Sequence, residues 1–366
     1  MAKGSRDEVS GVDPIQESND ELTDREERVL EAVVRSYVDS AEPAGSRTVA
    51  RKFQLGVSPA TIRNTMSDLE EKGYLYHPHT SAGRIPTDQA YRFFVDRLIQ
   101  PAELTEMERE RLEQELYQAG SSAVERLVRQ AIRALGLLTQ ELGVAIAPWL
   151  EDSVLERLEM IQASADKVLL VATIRSGLVK TVYVDLSGDV PQDALVAVTL
   201  VLNERLAGLK LREIRESLPD RLRDARPDES PATEELLNIF MQSGAELFDW
   251  SGGGPGQIHL GEASVLATQP EFTSQEGLKG LLRLTEQRDL LTEALKSRQH
   301  PGGLQITIGG EHASDELSDF TLVTAEYRVG GLKGVIGVIG PTRMPYEKVI
   351  AIVDSTSTMV NRILGK

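Results

Sequence analysis

Residues 45–84 read GSRTVARKFQLGVSPATIRNTMSDLEEKGYLYHPHTSAGR. This stretch carries the local signals of two helices, a tight turn and a hairpin. Ser58 is a helix-capping residue type and Pro59 suits the first helical position, so a helix is predicted to begin there. Ile62, Met66 and Leu69 then recur at helical spacing, which leaves a small, polar outward face near the helix start. A helix with such a face can approach base edges in the major groove of DNA.

A shorter helix is predicted before this one and a β-hairpin after it. Ser46 is expected to cap the shorter helix, and Gly56 is expected to take a positive φ in the turn between the two helices. The run Tyr74-Leu75-Tyr76 has strand composition, and a second strand is expected to begin at Ile85 after a loop with Pro and Gly. Together these elements predict a winged helix-turn-helix.

Three blocks of the chain resemble one protein family. They are EPAGSRTVARKFQLGVSPATIRNTMSDLEEKGYL (42–75), PHTSAGRIPT (78–87) and IGPTRMPY (339–346). They closely resemble the bacterial heat-inducible transcription repressors (HrcA), and the resemblance covers nearly the whole chain from residue 22 to residue 364.

The resemblance implies an architecture and a function. The fold would be a winged-helix domain joined to a GAF-like domain that carries an inserted dimerising domain. The protein would be a homodimeric repressor that binds the inverted-repeat operator CIRCE in double-stranded DNA, upstream of chaperone operons. Heat would relieve repression, and the GroEL-type chaperonin would keep the repressor active.

Charge is distributed unevenly along the chain. The net charge of the whole chain is −17, which by itself disfavours contact with phosphates. Residues 22–100, however, hold 11 Lys and Arg against 11 Asp and Glu, so the rest of the chain carries the acidic excess. Within this segment, residues 43–67 contain Arg47, Arg51, Lys52 and Arg63 and no carboxylate. Positive charge is therefore concentrated where DNA contact is predicted.

Composition also predicts the compartment. The chain has no Cys, so it has no disulfide framework, and its longest apolar runs are far shorter than a membrane helix requires. No apolar signal-peptide region is visible near the N-terminus. We therefore expect a cytoplasmic protein without a membrane partner, which is nucleoid-associated when it is bound to its operator.

Apolar periodicity and turn residues divide the chain into six segments. The fold class is expected to be α+β, with helices flanking an antiparallel sheet in the second half. Helices are also predicted to start at the boxes Thr23 with Glu26, Ser122 with Glu125 and Thr273 with Glu276, the last helix running to about residue 297. A further helix is predicted over about 192–206, and strands are predicted over 144–147, 155–163, 167–174, 178–186 and 304–308. With the names that the resemblance implies for the second half, the segments are a disordered tail (1–21), the winged-helix domain (22–100), a helical connector (101–142), the first part of the GAF-like domain (143–210), an inserted dimerisation subdomain (211–256) and the second part of the GAF-like domain (257–366).

The predicted DNA contacts fall into two groups. Thr61, Arg63, Asn64 and Ser67 are candidates for base edges, because Arg suits guanine and Asn suits adenine. Candidates for the phosphate backbone lie at the start of the shorter helix and at the end of the hairpin, where Arg84 could instead enter a minor groove. The full set is Ser46, Arg47, Thr48, Ser58, Ala60, Thr61, Arg63, Asn64, Ser67, His79 and Arg84.

Other motifs favour structural roles. His77 and His79 lie two residues apart but lack an accompanying Cys or carboxylate cluster, so structural or phosphate-contacting roles are favoured over a metal site. The glycine-rich run 329–343 lacks the Gly-Lys-Ser/Thr ending of a phosphate loop, and close backbone packing in a sheet is favoured. SGGGPG (251–256) is interpreted as a linker. No nucleophile elbow or zinc-protease helix occurs, so no catalytic, cofactor-binding or metal-binding residue and no enzymatic activity are expected.

Two alternatives remain open at this stage. Winged domains also serve as protein-binding modules, although the clustered positive charge and the small outward helix face favour DNA. In the second alternative the DNA-binding domain is retained, and the GAF-like domain senses a small-molecule effector. An enzyme fused to a regulatory module is disfavoured.

Overall fold

A computed structural model describes residues 22–364 except 80–81, 101, 118–123, 149–152, 176, 187, 189, 226–229, 249–257, 298–302 and 330–331, and the side chain of Glu125. The predicted tail, the box at Ser122 and the SGGGPG segment lie outside the described residues. The chain divides into two compact units, an N-terminal unit that ends at Ala90 and a C-terminal unit that begins at Tyr91.

The N-terminal unit consists of three helices and a short hairpin. A core of apolar side chains, including Leu30, Val33, Ile62 and Leu69, is fully buried between them. The two short strands pair antiparallel, with Leu75 opposite Pro86 and Tyr76 opposite Ile85. The elements are α1 (Asp24–Ser40), α2 (Ser46–Phe53), α3 (Pro59–Glu71), β1 (Leu75–Tyr76) and β2 (Ile85–Pro86).

Helix α1 begins at a capping box, as the sequence predicts. Thr23 Oγ1 accepts from the backbone N–H of Glu26, and the Glu26 carboxylate accepts from the backbone N–H of Thr23. Burial raises the pKa of Glu26, but hydrogen bonds from Lys72 and Thr23 outweigh burial and hold this pKa below its usual value. The Lys72–Glu26 ion pair, at 2.8 Å, also ties the end of α3 to the start of α1.

The boundary between the two units lies inside a helix. Helix α4 (Asp88–Phe93) continues as a π-helical turn over Phe94–Leu98. Tyr91 packs on Tyr346 with ring centroids 5.8 Å apart, and Arg92 Nε donates to Glu311 Oε1 at 2.7 Å, so this half of the helix belongs to the C-terminal unit. The compact N-terminal unit thus ends ten residues before residue 100, the predicted end of the first domain. A helix that is apolar on one side does not reveal from its sequence which core each of its turns joins.

The C-terminal unit contains two sheets and nine further helices among the described residues. Its elements, in chain order, are α5 (Glu106–Tyr117), α6 (Val124–Thr139), β3 (Leu142–Ile146), β4 (Leu155–Ser164), β5 (Lys167–Ile174), β6 (Val179–Asp185), α7 (Gln192–Leu206), α8 (Leu211–Leu222), α9 (Pro231–Leu247), β7 (Ile258–Leu260), α10 (Ser264–Ala267), α11 (Gln275–Glu286), α12 (Arg288–Lys296), β8 (Leu304–Ile308), β9 (Phe320–Val329), β10 (Leu332–Pro341) and α13 (Tyr346–Leu364).

The central sheet has five strands in the order β7-β3-β10-β9-β8, and all its pairings are antiparallel. Helices α6 and α13 pack on this sheet. Leu127, Ala131 and Leu135 on α6 are buried. The predicted α+β class is therefore confirmed. Helix α6, the second helix of the predicted connector (101–142), packs on the central sheet of this unit.

The glycines of strand β10 allow close packing, as predicted for the glycine-rich run. A Cβ atom on Gly337 would collide with the backbone oxygen of Val323 on the neighbouring strand. A Cβ atom on Gly334 would collide with the ring of Tyr327. Glycine is required at both positions because the neighbouring groups occupy the space of a side chain.

A second sheet, β4-β5-β6, forms a separate body with α7, α8 and α9. The chain leaves the central sheet after β3 and returns to it at β7. The segment between β3 and β7 has its own hydrophobic core, which includes Leu158, Leu170, Leu195, Leu218 and Phe240. We call the described part of this excursion, residues 153–248, the inserted body. The inserted body thus begins before residue 211, the predicted start of the insertion, and of the predicted strands in 143–210 only β3 belongs to the central sheet.

The structure differs from the sequence-based predictions at the starts of α2 and α11, at the end of α11 and around Pro219. Gly45, not Ser46, is the N-cap of α2, and no side chain caps that helix. Ser274, not Thr273, caps α11, and the predicted single helix is broken at Gln287. Helix α8 includes Pro219, although the polar, proline-containing sequence around it predicts a break. Its buried leucine and isoleucine side chains at helical spacing outweigh this local signal.

Candidate DNA-binding surface

The turn between α2 and α3 sets the position of the second helix. Gln54 and Gly56 both take left-handed conformations, with φ of 45° and 72°. The prediction of a positive φ at Gly56 is confirmed. Leu55 and Val57 are half-buried, so the turn is anchored to the core on its inner side.

Helix α3 begins as predicted, at Ser58 and Pro59. Ser58 Oγ accepts from the backbone N–H of Thr61 at 3.1 Å and lies 2.9 Å from Thr61 Oγ1. The two hydroxyls thus satisfy each other and one of the free N–H groups of the first turn. Pro59 and Ala60 are exposed beside this cap, so the first turn is compact on its outer side.

The two faces of α3 separate as the sequence predicts. Ile62, Met66 and Leu69 are buried in the core of the N-terminal unit. Arg63, Asn64 and Ser67 are exposed, together with Ala60. Thr61 is half-buried and its hydroxyl is engaged with Ser58, so it is less available than the other base-edge candidates. The exposed face therefore offers one guanidinium, one amide and small side chains.

Most of the positive charge on this surface has no ion-pair partner among the described residues. Arg47, Arg51 and Arg63 are exposed, and within the described part of the chain none of them forms an ion pair. Lys52 differs, because its ammonium group pairs with Asp39 at 2.7 Å. Three arginines with no local carboxylate partner form a surface that attracts anions.

The start of α2 has open backbone donors. No side chain caps this helix, and Arg47 and Thr48 are exposed in its first turn, while Ser46 is half-buried. The first N–H groups of a helix lack internal partners and carry a partial positive charge. The start of α2 is therefore suited to bind a phosphate oxygen.

The hairpin holds Arg84 in a way that differs from the prediction. Its side chain is only 12% exposed, and its Nη2 pairs with Glu70 Oε2 at 2.8 Å. Its backbone forms two hydrogen bonds with Ala44, of 2.8 and 3.0 Å, and a Cβ atom on the preceding Gly83 would lie 2.5 Å from the Ala44 backbone. The Arg84 side chain thus joins the hairpin to α3 and is not presented to a groove or a phosphate.

Glu70 is a structural residue that sequence reasoning missed. The Glu70 carboxylate lies 2.6 Å from His77 Nδ1 and is also paired with Arg84. Because His77 follows strand β1 and Arg84 precedes strand β2, Glu70 ties both sides of the hairpin loop to the last turn of α3. His79, by contrast, is exposed in the hairpin loop. No sequence signal identifies Glu70, because its partners lie 7 and 14 residues away on a non-periodic loop.

Comparison with known proteins places the chain in a family. A family model described as "HrcA protein C terminal domain" matches residues 125–350. A protein of Chlorobium chlorochromatii named heat-inducible transcription repressor HrcA is 38% identical over 338 residues, which cover 91% of this chain and 94% of that protein. A protein of the same name from Pelotomaculum thermopropionicum is 34% identical and covers 94% of this chain and 97% of its own length.

One solved structure can be compared with this chain along nearly its whole length. A crystal structure titled a hypothetical protein, at 2.2 Å resolution, shares the fold with a TM-score of 0.62 at 21% identity, covering 94% of this chain and 99% of its own. Among the described residues, no helix is long and apolar enough to cross a bilayer. With identity above 30% across nine-tenths of the chain and a match to the family model over most of its length, the chain belongs to the HrcA family of heat-inducible transcription repressors.

Proposed function

We propose that the N-terminal unit is a winged helix-turn-helix that reads a specific operator with α3. The observation that carries this proposal is the exposed surface of residues 43–67, which has three arginines without ion pairs among the described residues and no carboxylate. This surface is positive in a chain with a net charge of −17. Attraction for DNA is therefore concentrated on the helix-turn-helix, and the acidic rest of the chain disfavours non-specific binding to DNA.

The exposed side chains divide between reading and positioning. We assign Arg63 and Asn64 to base edges, because guanidinium and amide groups pair with the major-groove edges of guanine and adenine. Arg47 and Thr48 bind phosphate beside the open N–H groups of α2. Arg84 is proposed to support the hairpin instead of contacting DNA, since its side chain is buried against Glu70.

The operator is proposed to be the inverted repeat CIRCE, and the repressor a homodimer. One recognition helix covers only a few base pairs, and a two-fold dimer demands a palindromic site. We place the dimer contact on the inserted body, where Ile161, Leu169 and Tyr183 lie opposite one another across β4, β5 and β6. Ile161 is 52% exposed and Tyr183 is 64% exposed, which leaves an apolar row on the outer sheet face.

Sedimentation tests the dimer and its surface. The wild type is expected to form one dimer per repeat, and Tyr183→Asp is expected to shift the protein to monomers. Tyr117→Asp is the matched control, because Tyr117 on α5 is 53% exposed outside the inserted body. A tight, specific complex of a single subunit with a full repeat would refute the dimer proposal, and an unchanged dimer in Tyr183→Asp would refute this surface.

The switch is proposed to depend on a GroEL-type chaperonin in the cytoplasm. A marginally stable repressor can follow the free supply of chaperonin, which falls when other proteins unfold. A shift of about 1–2 kcal/mol changes the folded-to-unfolded ratio about 5- to 30-fold. Modest depletion of the chaperonin therefore suffices to release the operator on heating.

Operator binding with and without chaperonin tests this coupling. Purified protein is expected to lose CIRCE binding over time at growth temperature and to recover it when chaperonin and ATP are added. Small-molecule extracts are expected to have no effect. Stable, fully active repressor without chaperonin would contradict the coupling.

A second candidate function keeps the same DNA-binding unit and makes the GAF-like part of the C-terminal unit a sensor of a small-molecule effector. The specific observation in its favour is a cleft of about 560 Å³ in that unit, beside α6 and β7. Its volume lies in the range of small-molecule sites.

A further inference from the structure

The cleft lies at the edge of the central sheet. Its walls come from α6, from β7 with the turn that follows it, and from the first residue of α12. Three of its lining residues are arginines, namely Arg129, Arg133 and Arg288. We call it the arginine cleft.

The floor of the arginine cleft is apolar and held by backbone contacts. Leu137, Leu260 and Val265, which are exposed or half-buried, line it. Gly261, which also lines the cleft, donates its N–H to the backbone oxygen of Gly143 at 2.8 Å, and a Cβ atom there would lie 3.2 Å from Ile132 Cγ2. The helix, the edge strand and the turn are thus in close contact at the floor of the cleft.

The rim of the arginine cleft is positive in an acidic chain. Arg129 and Arg133 are four residues apart on α6, so their side chains lie on one helix face. Glu262 is the one carboxylate among the cleft's lining residues. Arg133 and Arg288 form no ion pair with any described residue. A bound anion would pair with these two guanidinium groups.

We propose that the arginine cleft binds a small molecule that carries a phosphate or carboxylate group on an apolar body. The planar guanidinium groups of the rim match the oxygen pairs of such a group. The leucine and valine side chains of the floor would cover the apolar part. The inference names a ligand class for the second candidate function, and it concerns only binding within the C-terminal unit.

Calorimetric titration of the full chain with phenyl phosphate tests the cleft. Saturable binding is expected with a Kd of about 1 mM or tighter, the range that ligands of this size reach. Inorganic phosphate is expected to bind about tenfold or more weakly, because it leaves the apolar floor uncovered. Benzyl alcohol, which has the ring and no charge, is expected not to bind.

Arginine variants locate the binding. Arg133→Ala and Arg288→Ala are each expected to weaken phenyl phosphate binding about tenfold or more, since hydrogen bonds to charged groups contribute on that order. Arg126→Ala is the matched control, because Arg126 is exposed on α6 but does not line the cleft. Absence of saturable binding to the wild type, or equal binding by wild type and both cleft variants, would overturn the proposal.

Operator binding distinguishes the cleft from the sensor function. If phenyl phosphate binds as expected and operator affinity is unchanged at saturation, the arginine cleft stands and effector sensing through this probe is refuted. If phenyl phosphate does not bind but the operator is still recognised, the cleft proposal fails and the proposed repressor function stands.

Discussion

Replacement of Glu141 by glutamine is expected to remove a pH dependence of stability. Glu141 lies between α6 and β3 and is 2% exposed. Its Oε2 accepts from Gln269 Nε2 at 3.1 Å. Burial raises the pKa of Glu141 to about 8, against the opposing effects of the Gln269 hydrogen bond and the positive charge of Arg343. The folded protein therefore holds this side chain as a neutral acid at pH 7.

The sign and size of the effect follow from this pKa. A pKa raised above the ordinary value of 4.5 means that the folded state binds the proton more tightly than the unfolded chain. The resulting stability is fully present below pH 4.5 and is lost as the pH rises to about 8. The slope in that window approaches about 1.4 kcal/mol per pH unit, so the free energy of unfolding is expected to fall by about 2–3 kcal/mol between pH 5 and pH 7.

Denaturant unfolding of wild type and Glu141→Gln at pH 5, 6, 7 and 8 measures this difference. The glutamine amide keeps the shape and neutrality of the acid, so the variant is expected to gain stability relative to the wild type as the pH rises. Glu286→Gln, which changes an exposed carboxylate in the same unit, is the matched control and is expected to follow the wild type. A constant difference between wild type and Glu141→Gln across these pH values would refute the reasoning.

Three further predictions concern single-residue changes in one or the other of the two units. Arg47→Ala should weaken binding to all DNA sequences alike and reduce the salt slope by about 1, as measured by titration at several salt concentrations. Glu70→Ala should destabilise the N-terminal unit by about 1–3 kcal/mol in denaturant unfolding, because Arg84 is left buried without its partner. Glu70→Gln should cost less. Equal stability of the wild type and the alanine variant would contradict this role of Glu70. Gly337→Ala should destabilise the C-terminal unit by about 1–3 kcal/mol in denaturant unfolding, whereas Gly280→Ala, in open space on a helix, should stabilise it by up to about 1 kcal/mol.

Local signals predict the helices and strands of this chain well where the cause of the structure is itself local. The capping box at Thr23, the cap and proline at Ser58 and the positive φ at Gly56 each depend on a few neighbouring residues. Helix α7 and strand β8 have the predicted bounds, because their apolar spacing and flanking turn residues agree. The exposed face of α3 follows from the same periodicity.

Features that depend on distant residues could not be predicted from the sequence. Strand composition marks β3 and β4 alike, but it does not say that β3 pairs with β10 while β4 pairs with β5. Strand composition therefore does not locate the start of the inserted body. Arg84 has the composition of a DNA contact, and only its approach to Glu70 assigns it a supporting role.

The central claim is that the exposed face of α3 reads bases, and competition binding with Arg63→Ala tests it most directly. Wild type, Arg63→Ala and the phosphate-contact control Arg47→Ala would each be titrated with the CIRCE repeat, with single-base operator variants and with random DNA. Arg63→Ala is expected to lose about 1–3 kcal/mol on the intact operator and to relax the preference at particular base positions, with little change on random DNA. Equal weakening of operator and random DNA by Arg63→Ala would contradict the assignment of this face.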